Sequence, residues 1–536
     1  MMKKKLLIVS FIFFQCLVFS QEHAWVYFAD KENVANALAN PLSILTQKAI
    51  DRKANHNVAI DVRDVPVNES YKFQVNNSPG IEVKAKSKWF NAVHVIGSES
   101  DINDLLMLAF VASVDFADNS LNMSPIQINT GNNKFEIEDT MVVFTYGDTQ
   151  NQVEMINVDA LHVLDFTGNG VTVAVLDAGF PSVNTMEAFQ RLRDAGNLLN
   201  GYDFVNRTAD IYAYTGSTHG TKVLSTMAGF IQDEFVGTAP DASYYVFRTE
   251  EAEQETPAEE SYWVEAAERA DSLGVDIINT SLGYKGYDNA NYSHTSNDMD
   301  GNTTFITKGA NIAFEKGLLL VNSAGNSGVS GVNAPADAAG VFSIGAVDLN
   351  GDYASFSSQG SAIQPTQKPD VTARGAATYV IGPNNTIVQN NGTSFSSPIM
   401  AGGLACLRQA LPDLTNAEMM QLVRESASQY TTPDYFLGFG IPDLANALAT
   451  ELSNQNSERT TFKIFPNPVK NDLKIMFPND VGSANLFIHD ILGKLIMDAT
   501  IQRFNPINLQ QLSSGIYLLK IEAEGTDSKS LKLIKQ

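Results

Sequence analysis

The sequence predicts an α/β protein. A central three-layer domain with a mostly parallel sheet follows an α+β region and precedes a small all-β sandwich. Three observations carry this. Between about residues 151 and 450, continuous apolar runs ending in Gly, Asn or Asp alternate with helical stretches. Ahead of them, residues 21–150 mix short apolar runs with Asn-rich turns. Behind them, residues 462–536 show strand alternation punctuated by turns. At 536 residues, 44% hydrophobic and 18% charged, the chain has material for two or three domains with a large core.

The N-terminus reads "MMKKKLLIVSFIFFQCLVFSQ". Three lysines, an apolar run from Leu6 to Phe19 and a small Ser20 fit a secretory signal peptide, residues 1–20, cut near Ser20/Gln21. The run is short of the roughly 18–20 apolar residues that cross a bilayer, and no other stretch approaches that length. Cys16 leaves with this segment, so Cys406 stands alone in the mature chain and no intrachain disulfide is expected. In "MAGGLACLRQAL" it reads as a buried structural thiol.

Within 21–150, "WVYFAD", "YKFQV" and "MVVFTYG" read as apolar runs of a mostly β region, and "ENVANALANPLSILTQKAIDRKAN" as one or two helices. Within 151–450, "VTVAVLD" (171–177), "SYYVFR" (243–248), "VDIINTSLG" (275–283) and "GLLLVNSAGN" (317–326) fit strands buried on both faces of a parallel sheet. "HGTKVLSTMAGF", "ESYWVEAAERADSL", "NTTFITKGANIAFEKG" and "SSPIMAGGLACLRQAL" are the helices between them. A polar linker, 451–461, leads to the sandwich, 462–536.

The formal charge is −24, and it is uneven. Residues 460–536 hold nine Lys/Arg against seven Asp/Glu and the first twenty hold three Lys, so 21–459 carries about −29. An acidic body of that size argues against nucleic acid and anionic membrane as partners.

Sites in open α/β folds gather at the carboxyl ends of the strands. Asp177 closes "VTVAVLD" there, His219 opens the helix of "STHGTKVLSTMAG", and Ser394 opens the helix of "NNGTSFSSPIMAGG". A serine attacks a carbonyl well when a histidine removes its proton and a carboxylate orients that histidine. Asn326, ending "LLLVNSAGN", supplies an amide that with the Ser394 N–H can form an oxyanion hole. Each piece alone has a plain alternative: a turn aspartate, a surface histidine, an N-cap serine. Pro398, four residues past Ser394, should crowd the Ser394 carbonyl and hold that turn open, while Ser396 and Ser397 read as first-turn helix residues.

The blocks "VTVAVLDAGF", "STHGTKV", "NTSLG", "NSAGNSG" and "NNGTSFSSPIMAG", with "FSSQG…KPDVTARG", resemble those of the subtilisin-like serine peptidases, the subtilases, over about 150–450. The resemblance implies a subtilisin-like fold and a secreted endopeptidase acting through an acyl-enzyme. Asp177 would orient, His219 act as base, Ser394 as nucleophile and Asn326 as oxyanion donor. It also implies that Ser281, Leu282 and Gly283 form the edge to which an extended peptide pairs, with Ala324 and Gly325 also binding substrate. Three departures stand out: Ala178 where Ser or Thr is commoner, Lys222 where the helix often has another His, and Arg374 in place of a usual Pro.

The flanks carry resemblances too. Residues 21–150, with "WVYFADK", "DVPVNESY" and "SKWFNAVHV", look like the N-terminal extension of subtilases from Bacteroidetes, which implies an inhibitory, fold-assisting propeptide cut away near 140–150. The tail, with "FPNP", "DILGK" and "LSSGIYLLKIE", looks like a type IX secretion C-terminal sorting domain; a generic β-sandwich binding module is the alternative. Protein or peptide substrates and the type IX machinery are the implied partners, and a monomer is expected.

"RTEEAEQETPAEE" (248–260) places six Glu between a strand and a helix. It reads as a solvated loop whose acids favour the helix N-terminus, or as a cleft rim that favours basic substrates. "SNDMDGN" (296–302) reads as a turn and cap, since it lacks the remaining ligands of an EF-hand loop. No cofactor is required for the chemistry; structural calcium stays open, without named ligands. No His-Glu-x-x-His or Gly-x-Ser-x-Gly pattern occurs, which disfavours zinc proteases and esterases. The reading is a secreted serine endopeptidase; the alternative is a surface-displayed adhesion protein on an inactive or weakly active subtilase scaffold.

Overall fold

The computed structural model describes residues 21–122, 144–199, 201–459, 462–465, 467–477, 481–503, 506–523 and 528–536. The expected signal peptide lies outside them, as do residues 141–143 of "MVVFTYG". The chain forms two compact units, Met1–Ala445 and Asn446–Gln536.

The N-terminal region holds β1 (Glu22–Phe28), α1 (Gln47–Asn55), α2 (Glu69–Asn76), β2 (Glu82–Ser87), β3 (Ala92–Gly97) and β4 (Val111–Phe116). The four strands form an antiparallel sheet in the order β2-β3-β1-β4. "YKFQV", read as a β run, is helical instead. Asn68 caps α2 by accepting from the N–H groups of Ser70 and Tyr71, and that local bond outweighs the β-leaning aromatics.

Strand alternation splits β1 between two surroundings. Ala24, Val26 and Phe28 join Val93, Val95, Ile102, Leu105 and Phe116 in the region's own core. Trp25 points the other way and stacks on Phe305 with ring centroids 4.6 Å apart, while its indole N–H donates to Ser261 at 2.8 Å.

The central domain is built on seven strands: β5 (Thr172–Asp177), β6 (Tyr202–Asp203), β7 (Ser243–Arg248), β8 (Ile277–Thr280), β9 (Leu319–Ser323), β10 (Val341–Val347) and β11 (Val371–Arg374). Their order is β11-β10-β9-β8-β5-β7-β6, and every pairing is parallel. The four apolar runs read from the sequence are β5, β7, β8 and β9. Four helices matter for the site: α3 (His219–Ala228), α4 (Ala258–Leu273), α5 (Phe305–Glu315) and α6 (Thr393–Ala410). Ala174 and Leu176 of β5 pack with Trp263 and Ala267 of α4 and Ala310 of α5, whereas α3 and α6 pack against each other and α6 against β8 to β11. Helices on both faces of the sheet make the three layers.

The N-terminal sheet thus rests on α4 and α5, and ions are buried where they meet. Lys53 Nζ lies 2.7 Å from Asp271 Oδ1 and Lys316 Nζ 2.7 Å from Asp64 Oδ2, with all four side chains at most 1% exposed. Arg52 also pairs with Asp271. Glu268 of α4 accepts from the N–H groups of Lys88 (2.8 Å) and Trp89 (2.9 Å) and from the Ser87 hydroxyl.

The second unit carries β12 (Lys463–Phe465), β13 (Asp472–Met476), β14 (Ser483–His489), β15 (Leu495–Gln502), β16 (Ile507–Asn508), β17 (Gly515–Glu522) and β18 (Lys529–Lys535). They form two antiparallel sheets, β12-β13-β16 and β15-β14-β17-β18, around a core including Leu486, Ile488, Leu519 and Leu533. The stretch read as a polar linker is helical over Leu444–Arg459.

Candidate active site

Asp177, His219, Ser394 and Asn326 stand at the positions the sequence suggested: the last residue of β5, the first of α3, the second of α6, and the loop after β9. The fold places them at the carboxyl end of one parallel sheet because that is where its loops emerge.

Asp177 is fully buried, and its Oδ1 lies 2.7 Å from His219 Nδ1 and accepts the Ala178 N–H at 2.7 Å. Its Oδ2 is buried without a hydrogen-bond partner. An Nδ1–H donated to the carboxylate leaves Nε2 as the free lone pair, the form a general base needs. Burial works against a charged His219, but the Asp177 charge and hydrogen bond outweigh it, Glu250 adds to them, and the ring ends above the ordinary histidine value.

Ser394 Oγ donates to the Ser281 carbonyl at 3.3 Å, and no hydrogen bond joins it to His219. In return Ser281 Oγ donates to the Ser394 carbonyl at 2.8 Å. Pro398 explains that carbonyl. Lacking an N–H, it cannot supply the helical bond four residues on, and α6 nevertheless continues through it.

Asn326 Oδ1 accepts from Thr393 N at 2.9 Å and from Thr393 Oγ1 at 3.0 Å, which turns its Nδ2 away from Thr393. A methyl group built on Gly392 would meet Asn326 Nδ2 at 3.5 Å and Ser394 N at 3.6 Å, so both donors border one small space. Gly392 has φ +148, which disfavours any side chain there. Gly325, at φ +109, donates its N–H to Thr393 Oγ1 at 3.2 Å. Ser281, Leu282 and Gly283 follow β8, and Ala324 follows β9, the neighbouring strand.

The Glu-rich segment is exposed over residues 252–255 and places Glu259 and Glu260 in the first turn of α4, as expected, but those two acids are buried. Glu259 is fully buried and accepts from the N–H groups of Glu251 (2.9 Å) and Thr256 (3.0 Å). Glu260, 1% exposed, accepts from Tyr287 Oη at 2.5 Å, His294 Nε2 at 2.7 Å and Ile306 N at 2.8 Å. Glu259 ties the loop to the start of α4, while Glu260 links α4 to Tyr287, His294 and the first turn of α5, which composition does not reveal. Glu250 accepts from the Tyr284 hydroxyl at 2.7 Å, one residue beyond the Ser281–Gly283 edge. Oxygens of Glu250, Glu255 and Glu259 lie within 4.8 Å of one another. Burial pushes Glu250 up to about 8, with Glu255 and Asp177 adding to it against the Tyr284 bond, and pushes Glu259 up to about 10.

In "SNDMDGN" the carboxylates cap turns: Asp298 accepts from Thr295, and Asp300 from the N–H groups of Asn302 and Thr303. Cys406 is buried, with its thiol on the Thr238 carbonyl at 3.1 Å, as a structural thiol should be. The Ser281 hydroxyl and Glu250 are the site features that motif reading passed over. The proline four residues after Ser394 was a usable signal for the first, since it announces a carbonyl in need of a donor.

Residues 168–440 match the subtilase family, residues 23–134 the peptidase S8 propeptide domain of Bacteroidota, and residues 463–536 the secretion system C-terminal sorting domain. The chain is 31% identical over 285 residues to the thermostable alkaline protease of Halalkalibacterium halodurans, covering 53% of this chain and 69% of that one. It is 31% identical over 294 residues to subtilisin E of Bacillus subtilis, covering 54% and 68%. Against subtilisin DY of Bacillus licheniformis the identity is 29% over 289 residues, covering 53% and 93%. No helix among the described residues is long and apolar enough to cross a membrane.

Proposed function

The chain belongs to the subtilase family, as a serine endopeptidase that is secreted or displayed at the cell surface, and from that premise we propose that it cleaves extracellular proteins through Asp177, His219 and Ser394. The observation that carries this is the 2.7 Å bond between Asp177 Oδ1 and His219 Nδ1.

In this reading an extended peptide pairs with the Ser281–Gly283 edge, with Ala324 and Gly325 completing the surface. The Ser394 hydroxyl turns from the Ser281 carbonyl to His219 Nε2, gives up its proton and attacks the scissile carbonyl. Asn326 Nδ2 and Ser394 N–H hold the oxygen as it becomes negative. Collapse returns the proton from His219 to the leaving amine and leaves an acyl-enzyme, which water releases by the same steps in reverse. The Asp177 carboxylate stabilises the imidazolium throughout. No cofactor takes part.

The N-terminal region, from residue 21 to a cut within 140–150, acts as the inhibitory propeptide. Thr149 Oγ1 already donates to Val236 O at 2.8 Å, and Gly147 bridges Phe235, which supports a cut ahead of Gly147. The tail addresses the protein to the type IX machinery, and the mature enzyme works as a monomer.

Labelling of the secreted protein with a fluorophosphonate, against a Ser394→Ala control, tests the reading. Ser394-dependent label is expected. Correctly processed protein that takes none would instead be a binding protein on a subtilase scaffold.

A further inference from the structure

Pro398 leaves the Ser394 carbonyl without its helical donor, and Ser394 is buried at 8% exposure. A buried carbonyl must find another partner. It finds Ser281 Oγ at 2.8 Å.

That hydroxyl is itself fixed. Asn279 Nδ2 donates to Ser281 Oγ at 3.3 Å, and Asn279 Oδ1 accepts from Ser397 Oγ at 2.9 Å. Ser281 Oγ therefore gives one bond and receives one, which a hydroxyl can do at once. Ser397 and Ser394 lie on α6, while Asn279 and Ser281 lie on and just past β8. The four residues close a ring between helix and sheet, and Asn279, Ser281 and Ser397 are each at most 4% exposed. Asn326, in the loop after β9, holds Thr393 through two further bonds. The Ser394 carbonyl and the Thr393 N–H and hydroxyl, all at the start of α6, are thus held by residues that follow β8 and β9.

We propose that the Ser281 side chain is a positioning residue for the nucleophile. With Asn279 and Ser397 it fixes the Ser394 backbone at the carbonyl that Pro398 leaves open, and so sets where Ser394 Oγ and N–H stand relative to His219 and Asn326. This rests on Ser394 being the nucleophile. It is separate from the pairing of substrate with the Ser281 backbone, which needs no hydroxyl.

A double-mutant cycle tests it on the full chain, with active sites counted by fluorophosphonate. Ser281→Ala should lower kcat about 10- to 100-fold, the size of effect that a small misplacement of a reacting group produces, and leave KM within about twofold. Ser281→Thr, which keeps the hydroxyl, should recover most of that loss. In a Pro398→Ala background residue 398 has an N–H for the Ser394 carbonyl, so Ser281→Ala should then cost less than about threefold. The proposal is overturned if Ser281→Ala has native kcat, if its loss falls on KM alone, or if the loss is equal in both backgrounds. Should Ser281→Ala not fold, the double variant decides: activity near that of Pro398→Ala supports the proposal, and failure to fold there too overturns it. Native protein that takes no label would remove the nucleophile reading first, and this proposal with it.

Discussion

His219 Nδ1 and Asp177 Oδ1 lie 2.7 Å apart, although 42 residues separate them in the chain. Their pairing decides which ring nitrogen is free to act as base, and the first expectation follows from it. Asp177→Asn puts a neutral amide against Nδ1 and no longer selects the Nδ1–H form. The chain should fold, and kcat on a peptide substrate should fall by about 10⁴-fold at neutral pH. A loss under tenfold would mean that His219 is not held in this way.

The second expectation concerns Glu250. His219 works as a base only when neutral, so a raised ring value moves the acid limb of kcat/KM to higher pH. Glu250 contributes to that raising. Glu250→Gln removes the contribution, and the acid limb should move to lower pH. Because Glu250 is itself pushed up to about 8, the native limb should also be broader than a single titration, and the variant's should sharpen. A pH–rate profile from about 5 to 10 reads both.

Third, Asn326→Ala deletes one of the two donors beside Ser394. The expected result is a fall in kcat of about 10²–10³-fold with KM little changed, because the donor serves the charge that develops during reaction rather than the bound peptide. A change confined to KM would place Asn326 in substrate binding only.

Fourth, Asp271→Ala leaves Arg52 and Lys53 buried without their shared carboxylate. Removing one partner of such a buried set costs about 3–5 kcal/mol. In a Ser394→Ala background, where the N-terminal region cannot be removed by self-cleavage, the unfolding midpoint in urea should fall accordingly. Burial alone would raise Asp271, but Lys53, Arg52 and Lys88 hold it below the usual aspartate range. Its stabilising contribution is therefore present above that range and lost only as pH falls below it.

Much of the fold is legible in the sequence. β7 spans the residues read as a strand, and β5 lies within one residue of its predicted start. Long apolar runs buried on both faces leave little ambiguity of type. "YKFQV" misled because a five-residue aromatic run fits either period, and the Asn68 cap decided it. The Glu-rich segment is the exposed loop with acids in the following first helical turn that was expected, and only the burial of Glu259 and Glu260 was not legible. Composition counts charges but cannot see that Glu259 and Glu260 each find backbone N–H groups to accept from.

By itself the sequence determined the α/β class, the order of the parts and the residues at the carboxyl end of the sheet. Periodicity and strand-end placement are local properties, and the motif blocks are local too. Tertiary structure alone decided which atoms meet. Ser394 Oγ rests on Ser281 rather than His219, Ser281 answers the carbonyl that Pro398 strips, and Lys53 and Asp271 bury their charges together. The physical reason is common to all three. A buried donor, acceptor or charge must be satisfied by whatever packing brings within reach, and that partner lies 113 residues away for Ser394 and 218 for Lys53, beyond what any local pattern encodes.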